Sequence, residues 1–211
     1  MEELYKLLRA YNIDNDNEQR FVPWAHQFTK SQFPKYWGIV FDLLSRLDRN
    51  LRVIEVGCGL GDITAILCYL QYQNVTSFEK DNKIAKLAQK KIHDLFGYDK
   101  IIRNDNFPTK EISKSDLLIL VNCAYKDCAK TKQNYIDLMK HYYECAGSPK
   151  YFLMEVIDSS YTIIDEEFPE YIRLSRADIE AMFPNADIKE WQTYVYPVNL
   201  RSKTLYLIER L

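Results

Sequence analysis

Hydrophobic positions change their spacing along this chain. Over residues 2–10 (EELYKLLRA), Leu4, Leu7 and Leu8 recur at helical spacing. Over residues 31–48, Ile39, Val40, Leu43, Leu44 and Leu47 share one helical face behind Ser31, a candidate N-cap. Between these helices lies an aromatic-rich loop, Phe21 to Phe28 (FVPWAHQF). From residue 51 the pattern alternates between strand and helix. LRVIEV (51–56) is a short β-branched run that ends in glycines, and a helix is predicted through Ile63–Tyr72. A strand follows at 74–79 (NVTSFE), then an amphipathic helix over 82–96 stopped by Gly97. Residues 100–103 read as a short strand, and SDLLILVNC (115–123) as a strand buried on both faces. A helix over about 129–145 closes at Gly147 and Pro149, and YFLMEVI (151–157) is another buried strand. Ser175 caps a helix that Pro184 terminates, and two strands, about 188–195 and 203–209, flank the turn-like PVNLRS.

This alternation predicts an α/β fold: a doubly wound, mostly parallel sheet in a three-layer α/β/α arrangement with right-handed crossovers. The final two strands have no helix between them and must run antiparallel, so the last strand opposes the rest of the sheet. Residues 1–50 are read as a helical N-terminal cap or lid and 51–211 as the α/β domain.

Composition narrows the function. The 211 residues amount to one domain's worth of chain. Lys and Arg number 28 against 30 Asp and Glu, a net charge of −2 that argues against a protein built to grip a phosphate backbone. The apolar run Leu117 to Val121 is far shorter than a membrane span, and MEELYKLLRAYN lacks the apolar stretch of a secretory signal. Five cysteines with no CxxC pair support neither a zinc ribbon nor a disulfide framework. The expectation is a soluble, cytoplasmic protein with no membrane partner, present as a monomer or homodimer.

The chain has only six glycines, well below the usual ~7%, yet three fall within five residues: Gly57, Gly59 and Gly61. They follow the first predicted strand, where the chain turns into a helix. Glycine there permits positive φ and close approach of a ligand to the backbone, and the helix start beyond it, at Asp62, offers unpaired N–H groups. A dinucleotide fingerprint needs its third glycine at position 62, which is Asp62; the spacing here is G-x-G-x-G. Glu55, two residues before the first glycine, puts negative charge where a pyrophosphate is disfavoured and a cationic ligand is favoured. The loop therefore points to a positively charged nucleoside rather than to NAD.

The run Val53-Ile-Glu-Val-Gly-Cys-Gly-Leu-Gly61 resembles the first motif of the class I S-adenosylmethionine-dependent methyltransferases. Glu79 stands 22 residues after Gly57, close to the ~20 expected for a ribose-binding acid, and Asn104-Asp105-Asn106 follows the third strand. The resemblance covers about residues 50–210. It implies a Rossmann-like domain that binds S-adenosyl-L-methionine and releases S-adenosyl-L-homocysteine. It further implies that Glu55, Gly57, Cys58, Gly59, Gly61 and Asp62 line the methionine and ribose end of the cofactor. Glu79 would accept both ribose hydroxyls, Lys80 would flank the adenine, Asp105 and Asn106 would meet its edge, and Asn122 would close the pocket.

At the end of the fourth strand, Asn122-Cys-Ala-Tyr-Lys-Asp127 resembles in outline the [DNS]-P-P-[YF] motif of amino-group methyltransferases, with both prolines replaced. Those prolines stiffen the turn that aims carbonyls at an amino substrate, so their loss argues against methylation of a nucleic-acid base. Tyr125 and Asp158 at this rim, with Trp24, Tyr36 and Trp37 from the N-terminal segment, are the candidate substrate-binding residues. His26, Asp127 and Glu155 are the candidate proton acceptors, His26 because its reference pKa lies near working pH. No cluster suggests a metal. The expected reaction is in-line methyl transfer to an oxygen of a small polar molecule or sugar, without a nucleic-acid partner. The alternatives are N-methylation of a base or protein side chain, and a non-catalytic cofactor-binding subunit.

Overall fold

A computed structural model describes residues 1–25, 29, 33–109, 114–123, 129–194 and 202–211. Among them lie helices α1 (Glu2–Asp14), α2 (Asp16–Gln19), α3 (Lys35–Leu44), α4 (Asp62–Tyr69), α5 (Asn82–Phe96), α6 (Lys132–Cys145) and α7 (Arg176–Met182). The strands are β1 (Arg52–Val56), β2 (Asn74–Phe78), β3 (Ile102–Arg103), β4 (Leu117–Leu120), β5 (Tyr151–Asp158), β6 (Arg173–Leu174), β7 (Ala186–Tyr194) and β8 (Ser202–Arg210). Their order in the sheet is β3-β2-β1-β4-β5-β8-β7, with β6 alongside β5. β2 and β3, β1 and β4, β4 and β5, and β5 and β6 are parallel pairs. β8 runs antiparallel to both β5 and β7. The mostly parallel α/β sheet with an opposed last strand is the fold that the alternating pattern predicts. Among the described residues no helix is long and apolar enough to cross a membrane.

The chain forms two compact units, one of Met1–Leu51 with Cys58–Asn106 and one of Arg52–Gly57 with Phe107–Leu211. In the first, α3 buries Tyr36, Trp37, Val40 and Leu44 at helical spacing. The Trp37 ring stacks on Phe33 with centroids 5.1 Å apart, and Phe33 stacks on Tyr5 at 4.4 Å. The helix begins at Lys35 behind Pro34, later than the hydrophobic spacing suggests, because the residue before a proline is disfavoured in α conformation. The candidate cap Ser31 lies outside the described residues. At the other end of α3 the Arg49 guanidinium donates to the carbonyls of Leu44, Ser45 and Leu47, groups that a helix terminus otherwise leaves unpaired. α4 stops at Tyr69 rather than Tyr72, because Gln71 takes a left-handed φ of +62°. That turn sends Tyr72 into the core, where its hydroxyl donates to the Leu44 carbonyl at 2.8 Å. α5 follows its predicted span, capped by the Asp81 carboxylate at the amide N–H groups of Lys83 and Ile84 and closed by Gly97 in the left-handed region.

In the second unit β4 presents Leu117, Leu118, Ile119 and Leu120, all buried, between β1 and β5. Burial of each such side chain is worth roughly 1.5–3 kcal/mol. The strand is shorter than the apolar run 115–123, because Ser115 is drawn to the Ala146 carbonyl and Asn122 leaves with φ +57°. Register at its start is set by charge. Arg52 and Asp116 form a two-pronged ion pair, Nε to Oδ2 and Nη2 to Oδ1 both at 2.8 Å, and the Arg52 amide also donates to Oδ2 at 2.9 Å. α7 carries a capping box, Ser175 with Asp178, as its Ser-x-x-Asp start suggests.

The Arg52 guanidinium holds the Asp116 carboxyl at about 2, below the ordinary carboxylate range. A depressed folded pKa stabilises the protein above the unfolded value of about 4 and loses that contribution as pH falls toward 2. Urea midpoints should therefore drop across that window, and Asp116→Asn should flatten part of the drop while lowering stability at neutral pH.

Candidate active site

The turn that leaves β1 holds three residues in the left-handed region: Gly57 at φ +68°, Gly59 at +55° and Gly61 at +76°. Side-chain-bearing residues adopt this conformation only at a cost. Two of these positions also lack room. A β-carbon on Gly57 would stand 2.6 Å from Cβ of Cys123, whose thiol donates to the Val56 carbonyl at 2.8 Å. A β-carbon on Gly61, the N-cap of α4, would stand 3.3 Å from Cβ of Ala88 on α5.

In the first unit this turn is tied to the end of β2 by one carboxylate. Glu79, buried, accepts the Gly59 N–H on Oε2 at 3.0 Å and the Asp81 N–H on Oε1 at 2.9 Å. Each carboxylate oxygen has a second acceptor direction. Glu79 thus keeps a matched pair of acceptors, the complement of a vicinal diol. Its main chain is fixed as well: its N–H donates to the Arg103 carbonyl, and its carbonyl accepts from Asn104 Nδ2, each at 3.0 Å. Asn104 also donates to the Lys80 carbonyl at 3.1 Å, so it joins the ends of β2 and β3. Sequence reasoning passed over Asn104 for its neighbours, although its place in the Asn-Asp-Asn run was the available signal. Asp105 and Asn106 are exposed, with the Asp105 carboxylate accepting the Asn106 N–H at 2.8 Å, and Lys80 is exposed.

Cys58 is buried, and its N–H donates to the Phe78 carbonyl at 3.0 Å. Asp62 has a different partner from the one expected at the helix start. Its carboxylate, 6% exposed, forms an ion pair at 3.0 Å with Lys91, which is fully buried on α5. That pair braces α4 against α5 behind the turn. From the N-terminal segment, the Trp24 indole Nε1 lies 4.0 Å from where a β-carbon on Gly59 would stand, and its ring is 41% exposed. Val22 and Ala25, both buried, anchor the residues around it. Tyr36 and Trp37, expected to touch substrate, lie in the packed face of α3. His26, Tyr125 and Asp127 lie outside the described residues.

In the second unit Glu55 is buried on β1, two residues before Gly57. Asn122 lies beyond the carboxyl end of β4, and its Oδ1 accepts from Lys203 Nζ at 2.5 Å. Glu155 is 1% exposed on β5 and is engaged on both oxygens, by the Thr193 hydroxyl at 2.5 Å and by Lys203 Nζ at 3.5 Å. A carboxylate held in this way is a structural counter-ion before it is a proton acceptor. Asp158, half-buried at the end of β5, accepts from the Thr204 hydroxyl at 2.7 Å and the Ser160 N–H at 2.8 Å. Burial pushes its carboxyl up, but the bonds from Ser160 and Thr204 outweigh that and keep it below its ordinary value. Sequence reasoning missed Lys203, because a lysine inside a strand normally reads as solvent-facing.

Residues 38–134, somewhat under half of the chain, match the family model of the ribosomal RNA adenine dimethylases. The matched stretch contains the glycine turn, Glu79, Asp105 and Asn122. Solved structures share the fold. Magnesium protoporphyrin IX methyltransferase from Synechocystis PCC 6803, with bound S-adenosylhomocysteine, superposes with TM-score 0.63 at 14% identity, covering 95% of this chain and 99% of its own. An S-adenosylmethionine-dependent methyltransferase from Clostridium acetobutylicum gives 0.60 at 12% identity, with 95% and 99% coverage. One from Methanosarcina mazei gives 0.61 at 11%, with 81% and 97%. Among curated proteins none matches the chain in sequence.

The fold is that of the class I S-adenosylmethionine-dependent methyltransferases. Its residues fit that cofactor: a buried diol-sized carboxylate stands at the end of β2, and the turn before α4 carries no β-carbons at three positions. Glu79→Ala should weaken calorimetric binding of S-adenosylhomocysteine by about tenfold or more, the equivalent of ~1.4 kcal/mol. NAD should give no heat in the same cell.

Proposed function

We propose that this methyltransferase moves the methyl group of S-adenosylmethionine onto an oxygen of a small polar molecule or sugar. The observation that carries the reading is the charge of the segment after β5. In open α/β sheets the ligand edge lies beyond the carboxyl ends of the strands. There the chain runs through Asp158, Asp165, Glu166, Glu167 and Glu170, the last three of which are exposed. The one cation among residues 158–174 is Arg173, buried and donating to the carbonyls of Tyr161, Ile163 and Phe168. A phosphate backbone laid along this edge would meet a segment with five carboxylates and a single cation. A compact acceptor without phosphates would not. The net charge of −2 agrees.

In this reading Glu79 takes the ribose hydroxyls and Glu55, with the glycine turn, receives the cationic methionine end. Trp24 covers the turn from the N-terminal side and helps to exclude water. Methyl transfer from a sulfonium needs chiefly an in-line approach, and such orientation supplies on the order of 7–11 kcal/mol. The protein's contribution is to bind and aim two partners. Asp158, its carboxyl kept below the ordinary range, serves better as a hydrogen-bond acceptor for substrate hydroxyls than as a base.

The match of residues 38–134 to a family named for adenine methylation of ribosomal RNA favours a second reading, N-methylation of a nucleic-acid base. The two readings separate in one experiment. The protein is incubated with S-adenosylmethionine labelled in its methyl group, once with a protein-free small-molecule extract and once with total RNA, and products are identified by mass spectrometry. Label on an oxygen of a small molecule is expected. Methyladenine in RNA, with none in the extract, would replace this reading by the second.

A further inference from the structure

The glycine turn spends its own donors on the protein. The Cys58 N–H goes to the Phe78 carbonyl at 3.0 Å, the Gly59 N–H to the Glu79 carboxylate at 3.0 Å and the Gly61 N–H to the Cys58 carbonyl at 2.9 Å. A negatively charged group set against the turn finds these three amides already engaged and needs a donor from another segment. One stands beside it. From where a β-carbon on Gly59 would be, the nearest atom among the described residues is the Trp24 indole Nε1 at 4.0 Å, and no second one lies within that distance. The bare face of Gly59 is thus bounded by the donating edge of an indole. An indole N–H donates and cannot accept. That of Trp24 has no hydrogen-bond partner among the described residues, and the residue is 41% exposed. The backbone that carries it is fixed. The Val22 N–H donates to the Gln19 carbonyl at 2.9 Å and the Ala25 N–H to the Val22 carbonyl at 3.0 Å, while the side chains of Val22 and Ala25 are buried.

S-adenosylmethionine carries a vicinal diol, two cations and one anion. The diol donates, and Glu79 is its complement. The sulfonium and the α-ammonium have nothing to give an N–H. The α-carboxylate is the acceptor, and a hydrogen bond to an ionised acceptor is roughly twice as strong as one between neutral groups. We propose that Trp24 is a cofactor-binding residue whose indole N–H donates to the α-carboxylate of S-adenosylmethionine, and not the acceptor-binding residue that its place in the N-terminal segment suggests. The proposal rests on the S-adenosylmethionine reading of the turn and is independent of which acceptor is methylated. A neutral donor suits the place: a lysine there would hold the carboxylate but repel the sulfonium a few bonds away.

The test compares two ligands on the full chain by calorimetry: S-adenosylhomocysteine, and methylthioadenosine, which keeps the adenosine and the thioether but lacks the amino acid. Trp24→Phe keeps an aromatic ring and removes the donor. It should weaken S-adenosylhomocysteine by about tenfold, as loss of a hydrogen bond to a charged group does, and methylthioadenosine by less than about twofold. Retained binding of the second ligand also shows that the variant is folded. The chain has three tryptophans, so the indole N–H of Trp24 can be assigned in ¹⁵N-labelled protein by its loss in Trp24→Phe. That signal should move downfield with S-adenosylhomocysteine and not with methylthioadenosine. Equal affinity of wild type and Trp24→Phe for S-adenosylhomocysteine, equal losses for both ligands, or an indole signal that S-adenosylhomocysteine leaves in place would each overturn the proposal. A wild-type chain that binds neither ligand would instead overturn the S-adenosylmethionine reading, and the proposal with it.

Discussion

One carboxylate holds the first unit's binding end together. Glu79 accepts from the turn before α4 and from the residue that caps α5, while its own backbone is bonded to the β3 residue Arg103 and to Asn104. Four local structures meet at one buried residue. Bonds of this kind reinforce one another where the surroundings are of low dielectric. The turn beside it is stiff because alternatives are closed off: a β-carbon at Gly57 or Gly61 would run into Cys123 or Ala88. Glycine is usually a source of looseness, yet here its absence of side chain lets neighbours approach until the turn has one available shape.

Much of this was legible in the chain. The period switch at residue 51 marked the change from helices to alternating strand and helix, and the lack of a helix between the last two strands predicted their opposition. α5 was legible to the residue, because its start and stop carry local chemistry: Asp81 caps it and Gly97 closes it. Boundaries failed where a single backbone torsion decided them. Gln71 and Asn122 each adopt positive φ, and nothing in an apolar run reveals that one of its neighbours will leave the strand or helix that way. β6, two residues long, is held by its alignment with the end of β5, and so short an element has no periodicity to read.

For the site, legibility followed distance along the chain. The glycine turn and Glu79 are about twenty residues apart and fall in a recognisable frame. The network around Lys203 draws on β5, β7 and β8, and no spacing connects Glu155, Thr193 and Lys203 until the strands are in register. Glu155 therefore reads from sequence as a proton acceptor and stands in the fold as a counter-ion. Lys91 is the same case in a helix: amid lysines at 86 and 90, its burial against Asp62 emerges only when α5 packs on α4. Buried charge is the feature that a hydrophobic pattern is least able to announce.

The place of β8 in the sheet has a consequence for how the second unit assembles. β8 follows β7 in the chain yet lies between β5 and β7, so β7 joins the sheet only through β8. Glu155 stands on β5, Lys203 on β8 and Thr193 on β7, three neighbouring strands whose register brings them together. The opposed strand thus does two things at once: it covers the β5 edge that holds Glu155, and it brings the ammonium that balances that charge.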